Sequence, residues 1–303
     1  MVDITHKISS LRFARAQAIV KVSKQDTIAA IINRLVPKGD VFSMAKTAGF
    51  FAVKQTASLI PDCHPMPIEF TDIQFDTDGL SIKIIVEVAT IYKTGVEVEA
   101  MTGASITALT IYDMLKPIDK KVSIENIALV EKKGGKSDFN VPPPNNFKAA
   151  VLVVSDSVSE QKSKDKAGEK ILSKLKDLGV PNIEKNVVPD EKPAIEKAIN
   201  DFCNRSTDLI LTVGGTGLSP RDITPEVVSQ IIDREIPGLM ETARNYGQQR
   251  TPMAMLSRGI AGFKGNTLII TLPGSTKGAT ESFDALFPYL FHVFKVLNIN
   301  FKH

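Results

Sequence analysis

Alternating apolar and polar positions mark the first half of the 303-residue chain. The run SIKIIVEVATIY at 81–92 has the two-residue period of a strand with one buried face. Longer segments around 26–35, 42–58 and 97–115 have apolar positions at helical spacing instead. Because strands and helices do not alternate regularly here, this half is predicted to be an α+β domain with an antiparallel sheet.

The second half has a different pattern, in which continuous apolar runs alternate with amphipathic segments. AAVLVVS at 149–155 and LILTV at 209–213 are short β-branched runs, typical of strands buried on both faces. The segment KAGEKILSKLKDLG has an apolar stripe at helical spacing, and a closing helix is predicted over about 278–296. This alternation predicts a mostly parallel sheet with helices on both faces, in which ligands bind beyond the carboxyl ends of the strands.

The two patterns are separated by a stretch rich in Gly, Pro and Asn, EKKGGKSDFNVPPPNNFK at 131–148. Three consecutive prolines favour an extended spacer. We therefore predict a first domain over 1–139, a linker over 140–147 and a second domain over 148–303. Each domain is long enough to bury its own core.

Composition is that of a globular protein and narrows the range of partners. A net charge of +3 is too small to indicate nucleic acid, but it allows local basic patches that bind phosphorylated small molecules. The N-terminus lacks the apolar core of a signal peptide and no apolar run reaches membrane-spanning length, so we expect a cytoplasmic location. The two cysteines, Cys63 and Cys203, favour neither a disulfide framework nor a cysteine-built zinc site.

Candidate chemistry in the second half begins at the stretch DLILTVGGTGLSPRDITPE. Gly214, Gly215 and Gly217 follow the carboxyl end of a predicted strand, where their backbone N–H groups could form an anion nest. Thr224 is predicted to be the N-cap of a helix whose positively polarised N-terminus would add to that nest. Asp222 precedes the cap, and an acid in a phosphate site serves best as a Mg²⁺ ligand. Spacing alone leaves a simple tight turn open, because the loop fits neither familiar nucleotide-binding glycine motif.

Other predicted strands of this half also end in loops with polar residues. VVSDS ends the first strand with Ser155 and Asp156, and VVPDE places Asp190 at the end of the second. LPGS places Pro273 and Gly274 after a later strand. Each acid alone could be a helix cap or a solvated loop residue. Several such loops at one sheet edge make a shared site the better interpretation.

These motifs carry a resemblance to the molybdopterin-binding family of the MoaB and MogA type. It rests on VSDS, PDE, GGTGLSPRDITPE, REIPGLME and LSRGIAG…LIITLPGS, over about residues 148–298. The resemblance implies a Rossmann-like fold that binds molybdopterin and transfers AMP from Mg-ATP to its terminal phosphate. It implies that Asp190 and Asp222 are catalytic and hold Mg²⁺. The implied substrate-binding residues are Ser155, Asp156, Gly214, Gly215, Thr216, Gly217, Ser219, Pro273 and Gly274.

Candidate residues in the first half are scattered along the chain. Asp113 and Lys116 stand three apart on one face of the helix predicted over 97–115, where a simple exposed ion pair is one explanation. The same helix has a face of small residues that would let another helix approach closely. These are Gly103, Ala104, Thr107 and Ala108.

A second resemblance assembles these residues. The motifs KGDVFSMAKTAG, LIPDCHP, TGVEVEAMT, ALTIYDM and KKGGKS are together similar to the cyclic pyranopterin monophosphate synthases of the MoaC family, over about residues 1–139. The resemblance implies a ferredoxin-like fold that converts 3′,8-cyclo-7,8-dihydroguanosine 5′-triphosphate to cyclic pyranopterin monophosphate and pyrophosphate, with no cofactor required. It implies that Asp113 and Lys116 are catalytic, which suits general acid–base chemistry. The implied substrate-binding residues are Lys38, His64, Glu97, Glu99, Lys132 and Lys136.

Together the two resemblances predict a bifunctional enzyme of molybdenum cofactor biosynthesis that acts on pterin and nucleotide substrates. The alternative for the second half is a non-catalytic pterin-binding or assembly module. Both families commonly form threefold-symmetric oligomers, so we expect a homotrimer or hexamer in which neighbouring subunits share sites. The small-residue face of the helix at 103–108 is the expected packing surface. No nucleic-acid or membrane partner is expected.

Overall fold

The structure is a computed structural model that describes residues 1–135 and 138–300. For residues 298–300 it describes the backbone only. The chain divides into two compact units, Met1–Phe139 and Asn140–His303. Within the described residues no helix is both long and apolar enough to cross a membrane.

The first unit is a four-stranded antiparallel sheet with helices packed against one face. Its strands are β1 (Ser10–Lys21), β2 (Phe70–Asp78), β3 (Ser81–Tyr92) and β4 (Ser123–Lys133), in the spatial order β2-β3-β1-β4. Its helices are α1 (Gln25–Ile32), α2 (Val41–Lys54), α3 (Thr56–Leu59) and α4 (Glu97–Leu115). All neighbouring strands are antiparallel. The predicted α+β class is confirmed, and the order of elements is ferredoxin-like.

The helix-facing side of this sheet is made from alternate residues. Along β1 and β3 every second side chain is buried, as the period predicted. Among them, Ala14, Ala16, Val86 and Val88 form one core cluster with Ala104 of α4. Small residues in the middle of β1 leave room for the long helix α4 to lie against the sheet.

The small-residue face of α4 is covered by α2 of the same chain. A Cβ atom on Gly49 of α2 would lie 2.2 Å from Thr107 Oγ1, and one on Gly103 would lie 2.6 Å from Val53 Cγ2. The prediction that another helix approaches this face is therefore correct. Its assignment as the surface between subunits is wrong, because that face is already buried inside the chain.

The second unit is a six-stranded mixed sheet with helices on both faces. Its strands are β5 (Lys148–Val154), β6 (Asn182–Val188), β7 (Leu209–Val213), β8 (Arg234–Glu235), β9 (Ala261–Lys264) and β10 (Thr267–Leu272), in the order β6-β5-β7-β10-β9-β8. Its helices are α5 (Asp156–Ser159), α6 (Lys166–Asp177), α7 (Lys192–Asn204), α8 (Thr224–Ile231), α9 (Pro237–Gln248), α10 (Thr276–Leu286) and α11 (Phe291–Asn300), with a short 3₁₀ helix at Pro252–Leu256. The first four strands in that order are parallel to one another, and β9 pairs antiparallel with both β10 and β8. The predicted mostly parallel α/β class is confirmed.

The continuous apolar strands of this unit contact two separate cores. Val151 belongs to a cluster with Ile171 of α6, whereas the next residue, Leu152, belongs to a cluster with Ile195 of α7. Successive side chains of a strand point to opposite faces. A strand covered on both faces must therefore be apolar at every position.

One prediction about this unit needs correction at the level of elements. The single closing helix over 278–296 is wrong, because α10 ends at Leu286 and α11 begins at Phe291. Pro288 lies between them, and a proline can neither donate the helical hydrogen bond nor fit inside a helix. The predicted linker also contributes to the core. Phe147 is 1% exposed, and its ring packs edge-on against Phe294 with 4.7 Å between the ring centroids.

Candidate functional sites

The loops after β5, β6, β7 and β10 converge on one cavity of about 460 Å³ at the carboxyl edge of the second sheet. Parallel strands bring their carboxyl ends to the same edge, which is why loops far apart in sequence meet there. Six of the predicted residues line this cavity. They are Ser155, Asp190, Gly214, Gly215, Asp222 and Gly274.

A second cavity, of about 370 Å³, lies beside the first. Thr216, Gly217 and Pro273 line it, and Gly274 borders both cavities. The glycine loop therefore runs along both. The second cavity has a mixed wall, with cationic side chains from Arg244 and Lys277 and apolar side chains from the 3₁₀ helix.

Two acids fix the loops of the first cavity to each other. The Asp156 N–H donates to Asp190 Oδ2 at 3.0 Å, and the Asp190 N–H donates to Asp156 Oδ1 at 2.9 Å. Arg221 forms an ion pair with Asp156. Burial raises the pKa of Asp190, and the negative charges of Asp156 and Asp222 raise this pKa further. The first cavity is thus lined by the carboxylates of Asp165, Asp190 and Asp222 and by the lysines Lys164 and Lys166.

This carboxylate set fits a hard divalent cation in its chemistry. Oxygen donors are the ligands that Mg²⁺ prefers, and a cation would relieve the repulsion that raises the pKa of Asp190. In the described part of the chain, no three His, Cys, Asp or Glu side chains are placed to hold a metal by themselves. Phosphate or water oxygens would have to complete the coordination, as is usual for Mg²⁺.

The glycine loop requires its glycines for steric reasons. Gly214 and Gly215 have left-handed φ values of +110° and +62°. A Cβ atom on Gly214 would lie 2.2 Å from Val154 O, and one on Gly215 would lie 2.2 Å from Thr224 Oγ1. Within the described residues, the N–H groups of Gly215, Thr216 and Gly217 make no hydrogen bond. They form a row of donors of the kind that binds phosphate.

The helix after this loop begins one residue earlier than predicted. Thr224 is the first residue of α8, and Ile223 occupies the N-cap position without a side-chain cap. The Thr224 N–H instead donates to Gly215 O at 3.0 Å. The predicted capping role of Thr224 is wrong, because its side chain packs against the glycine loop. Asp222 accepts a hydrogen bond from the Ser219 N–H at 3.0 Å, which closes the loop in front of the helix.

In the first unit, three predicted residues meet at the C-terminal end of α4. Asp113 accepts hydrogen bonds from Lys116 at 2.7 Å and from Lys38 at 2.6 Å. The bond from Lys116, followed by that from Lys38, lowers the pKa of Asp113 to about 2. The same contact with Asp113 raises the pKa of Lys116. Both members of the predicted catalytic pair are therefore charged in the free protein.

Four other predicted residues of the first unit, His64, Glu97, Glu99 and Lys132, lie at the other end of α4. Cys63, His64, Glu97 and Glu99 line a cavity of about 300 Å³, and Lys132 pairs with Glu97 at 3.4 Å. His64 Nε2 is 2.8 Å from Val2 O. Lys136, the last predicted member, lies outside the described residues.

Glu99 is the buried acid of this cavity. It is 2% exposed, and burial raises its pKa. Cys63 Sγ donates to Glu99 Oε1 at 3.3 Å, and Glu99 Oε2 has no hydrogen-bond partner in the described chain. A buried acceptor without a partner is costly unless a ligand satisfies it. The cavity is therefore suited to a ligand that has N–H groups.

The length of α4 keeps these two groups of residues apart. Glu99 and Asp113 are separated by 14 residues of one helix, which corresponds to about 21 Å at the usual rise per residue. A catalytic group must touch the reacting atoms. One chain therefore does not bring all the predicted residues of the first unit to one reacting ring.

Comparison with known proteins gives the family of the whole chain. Residues 1–135 match the MoaC family, and residues 150–292 match the "Probable molybdopterin binding domain" family. A "Molybdenum cofactor biosynthesis bifunctional protein" of Chlorobaculum tepidum is 38% identical over 297 residues, which cover 98% of this chain and 94% of that protein. The chain belongs to the family of bifunctional molybdenum cofactor biosynthesis proteins.

Two further relatives agree with this assignment. A bifunctional family member from Synechococcus elongatus is 34% identical over 310 residues, covering 98% of this chain and 97% of the relative. A "Cyclic pyranopterin monophosphate synthase" of Listeria innocua is 49% identical over 138 residues, covering 45% of this chain and 86% of the synthase. The family resemblance seen in each half of the sequence is confirmed.

Several residues of these sites in this member of the bifunctional family were missed by sequence reasoning. Cys63 was considered only as a metal ligand or disulfide partner, although it binds Glu99. Arg244 lines the second cavity and Arg258 contacts the glycine loop, and neither was singled out. The contact between Arg258 and Gly217 spans 41 residues, and no local pattern predicts such a contact.

Proposed function

We propose that the second unit binds molybdopterin and adenylates it with Mg-ATP. The observation that carries this proposal is the position of the glycine loop between two cavities of different chemistry. Gly214 and Gly215 border the acidic cavity, which suits metal-bound nucleotide phosphates. Thr216 and Gly217 border the cavity with Arg244, which suits a pterin with an anionic tail.

The loop itself would bring the reacting phosphates together. Its three adjacent N–H donors, from Gly215 to Gly217, span the boundary between the two cavities. Oriented donors at such a place stabilise negative charge that develops during phosphoryl transfer. Asp190 and Asp222 would hold Mg²⁺, which when bound would neutralise charge on the nucleotide phosphates.

The direct test is to incubate the protein with molybdopterin, Mg²⁺ and ATP and to look for adenylated molybdopterin by mass spectrometry. We expect a product that depends on both Mg²⁺ and ATP. Binding of molybdopterin without any adenylated product would instead support the alternative, a non-catalytic pterin-binding or assembly module.

We propose that the first unit converts 3′,8-cyclo-7,8-dihydroguanosine 5′-triphosphate to cyclic pyranopterin monophosphate, and that two chains form each site. The observation that carries the second part is the separation of the two clusters along α4. The Asp113 end would supply acid–base groups, and the Glu99 end would supply the buried acceptor for the ring.

An exposed apolar stripe joins the two ends of α4. Val98, Met101, Leu109 and Tyr112 lie at helical spacing on one face, and each is 36% or more exposed. If two copies of α4 packed antiparallel along this stripe, a twofold axis would place Asp113 of one chain beside Glu99 of its partner. A hexamer built from three dimers around a threefold axis contains such a twofold contact, whereas a simple trimer does not. We therefore propose the hexamer of the two expected assemblies.

Subunit mixing tests the shared site. Lys116→Ala and Glu97→Gln should each inactivate pterin formation, because each variant damages a different end of α4. If the two variants are unfolded and refolded together, some dimers contain one chain of each variant. In such a mixed dimer one of the two sites has both native ends. About a quarter of all sites should therefore regain activity. Refolded mixtures with wild-type folding and no regained activity would show that each site belongs to one chain.

A further inference from the structure

Arg258 contacts the glycine loop and the acid loop of the second unit at three points. Its Nε donates to Gly217 O at 2.8 Å. Its two terminal nitrogens donate to Asp222 O and to the Glu226 carboxylate, with which it forms an ion pair. One guanidinium therefore binds the two ends of the segment from Gly217 to Asp222 and the first turn of α8.

We propose that Arg258 is a positioning residue that couples the two cavities of the second unit. This inference rests on the proposed adenylation, and it assigns to one side chain the task of keeping Asp222 in register with the glycine loop. The planar guanidinium presents several donors in a fixed arrangement. Because two of its acceptors are backbone carbonyls, the arginine holds the loop by its main chain, in addition to the bonds that the loop's own side chains make.

Few other contacts hold this segment. Inside it, the Asp222 N–H donates to Ser219 O and the Ser219 N–H donates to the Asp222 carboxylate, so these bonds join the loop only to itself. Arg221 reaches out to Asp156, but both Arg221 and Leu218 are largely exposed. Within the described residues, Arg258 is therefore the side chain that ties the Gly217 and Asp222 carbonyls to the rest of the unit.

The position of Arg258 in the chain connects it to the second cavity. Its neighbour Ser257 lines that cavity, as does Leu256 at the end of the 3₁₀ helix. On its other side, Gly259 O accepts a hydrogen bond at 3.3 Å from Arg244, which also lines the second cavity. A pterin bound there would contact the segment that carries Arg258, while the guanidinium holds Asp222 at the first cavity.

Two ligands that both favour one loop arrangement must strengthen each other's binding. We therefore expect molybdopterin to increase the affinity for a magnesium nucleotide, and the nucleotide to increase the affinity for molybdopterin by the same factor. A coupling of about tenfold is typical of such linkage. Arg258→Ala should remove this coupling, since each cavity would then be occupied without fixing the loop of the other.

The test uses the full-length protein with Mg²⁺ and α,β-methylene-ATP, an analogue that cannot transfer AMP. Calorimetry with and without molybdopterin gives the coupling factor in the wild type, Arg258→Ala, Arg258→Lys and Glu226→Gln. We expect loss of coupling in the alanine and lysine variants. Glu226→Gln should retain most of it, because Arg258 keeps its two carbonyl contacts. Arg205→Ala, which removes an exposed ion pair with Glu184 elsewhere in the unit, is the matched control.

Hydrogen exchange of the unliganded protein separates this inference from the proposed reaction. Amides 215–223 should exchange faster in Arg258→Ala than in the wild type, whether or not the protein adenylates molybdopterin. A wild-type protein that makes no adenylated product, combined with a faster-exchanging loop in Arg258→Ala, would reject the reaction and keep the positioning role. Unchanged exchange and unchanged coupling in Arg258→Ala, with only a lower melting temperature, would overturn the inference.

Discussion

The two candidate sites are built in opposite ways. In the second unit, four loops that follow parallel strands meet at one sheet edge, and much of the site is backbone. In the first unit, side chains occupy the two ends of α4, on an antiparallel sheet whose strand ends point in both directions. A parallel sheet gathers distant residues within one chain. A long helix on an antiparallel sheet separates them, which is why we propose that a second copy completes the first site.

The sites also differ in how their charges are balanced. Asp113 already has two lysine partners, and its pKa of about 2 keeps it ionised throughout the working pH range. Asp190 lies in a partly buried position among other acids, and its pKa is raised. The carboxylate of the first site is paired with lysines of its own chain, whereas Asp190 of the second site lies near two further carboxylates that raise its pKa. Four substitutions test this contrast.

The largest effect is expected for Lys116→Ala. Loss of a general acid–base group typically lowers turnover by about 10²–10⁴-fold, so pterin formation should fall to background. Lys120→Ala, which removes an exposed lysine in the turn that follows α4, should leave turnover unchanged. The measurement is conversion of the cyclic triphosphate, with circular dichroism to verify folding. Near-normal turnover by a folded Lys116→Ala protein would remove Lys116 from the reaction.

Asp222→Asn should have the next largest effect, confined to the second unit. The amide is nearly isosteric and can still accept the bond from Ser219, but it lacks the charge that would hold Mg²⁺. Adenylation should fall by on the order of 100-fold or more, while molybdopterin still binds. Pterin formation by the first unit is the internal control and should not change. Adenylation at the wild-type rate would make Asp222 a loop-closing residue only.

Gly215→Ala tests whether the second site depends on its backbone, which is the difference from the first site described above. The added Cβ would lie 2.2 Å from Thr224 Oγ1 and 3.0 Å from Asp190 Oδ1, at a left-handed φ. The loop must shift, and we expect adenylation to fall by about tenfold, which corresponds to roughly 1.4 kcal/mol. Gly238→Ala is the matched control, since a Cβ there meets no atom within 4 Å. Equal rates for the two variants would argue against a backbone phosphate site.

The smallest effect, on stability, is expected for Asp190→Asn. A carboxyl with a raised pKa binds its proton more strongly in the folded state, so its ionisation costs stability above its folded pKa. That cost is absent at pH values below the unfolded value of 3.8. The variant should therefore melt a few degrees higher than the wild type at pH 7 without metal. This gain should shrink as the pH falls toward 3.8.

Magnesium provides the control for this last prediction. The cation should stabilise the wild type and reduce its difference from Asp190→Asn, because only the wild type has the full carboxylate set. Identical melting curves at pH 7, with and without Mg²⁺, would show that the repulsion around Asp190 is too weak to matter.

The sequence was most informative where a pattern had one physical solution. Alternation along β3 could bury only one face, and the glycines after β7 fitted only a tight, left-handed loop. Both features could be predicted without a structure. The gathering of the polar loops at one sheet edge also followed from the prediction of parallel strands.

Contacts between segments distant in sequence could not be predicted in the same way. The face of α4 around Gly103 was correctly identified as a close-packing surface, but the residue types there could not say whether α2 or another chain would cover it. The three bonds of Arg258 depend on how a segment after the 3₁₀ helix returns to the glycine loop. The separation of Glu99 from Asp113, in contrast, followed from the length of the predicted helix and could have been recognised.

The close contact between Gly49 and Gly103 has a consequence for the chemistry of the first site. Lys38 precedes α2, whose start is fixed by the Asp40 side chain, which accepts a hydrogen bond from the Ser43 N–H at 3.0 Å. Where α2 lies against α4 therefore sets how far Lys38 is from Asp113. A single methyl group on either glycine would push the two helices apart. Such a remote change would alter the contact between Lys38 and Asp113 without touching any charged residue.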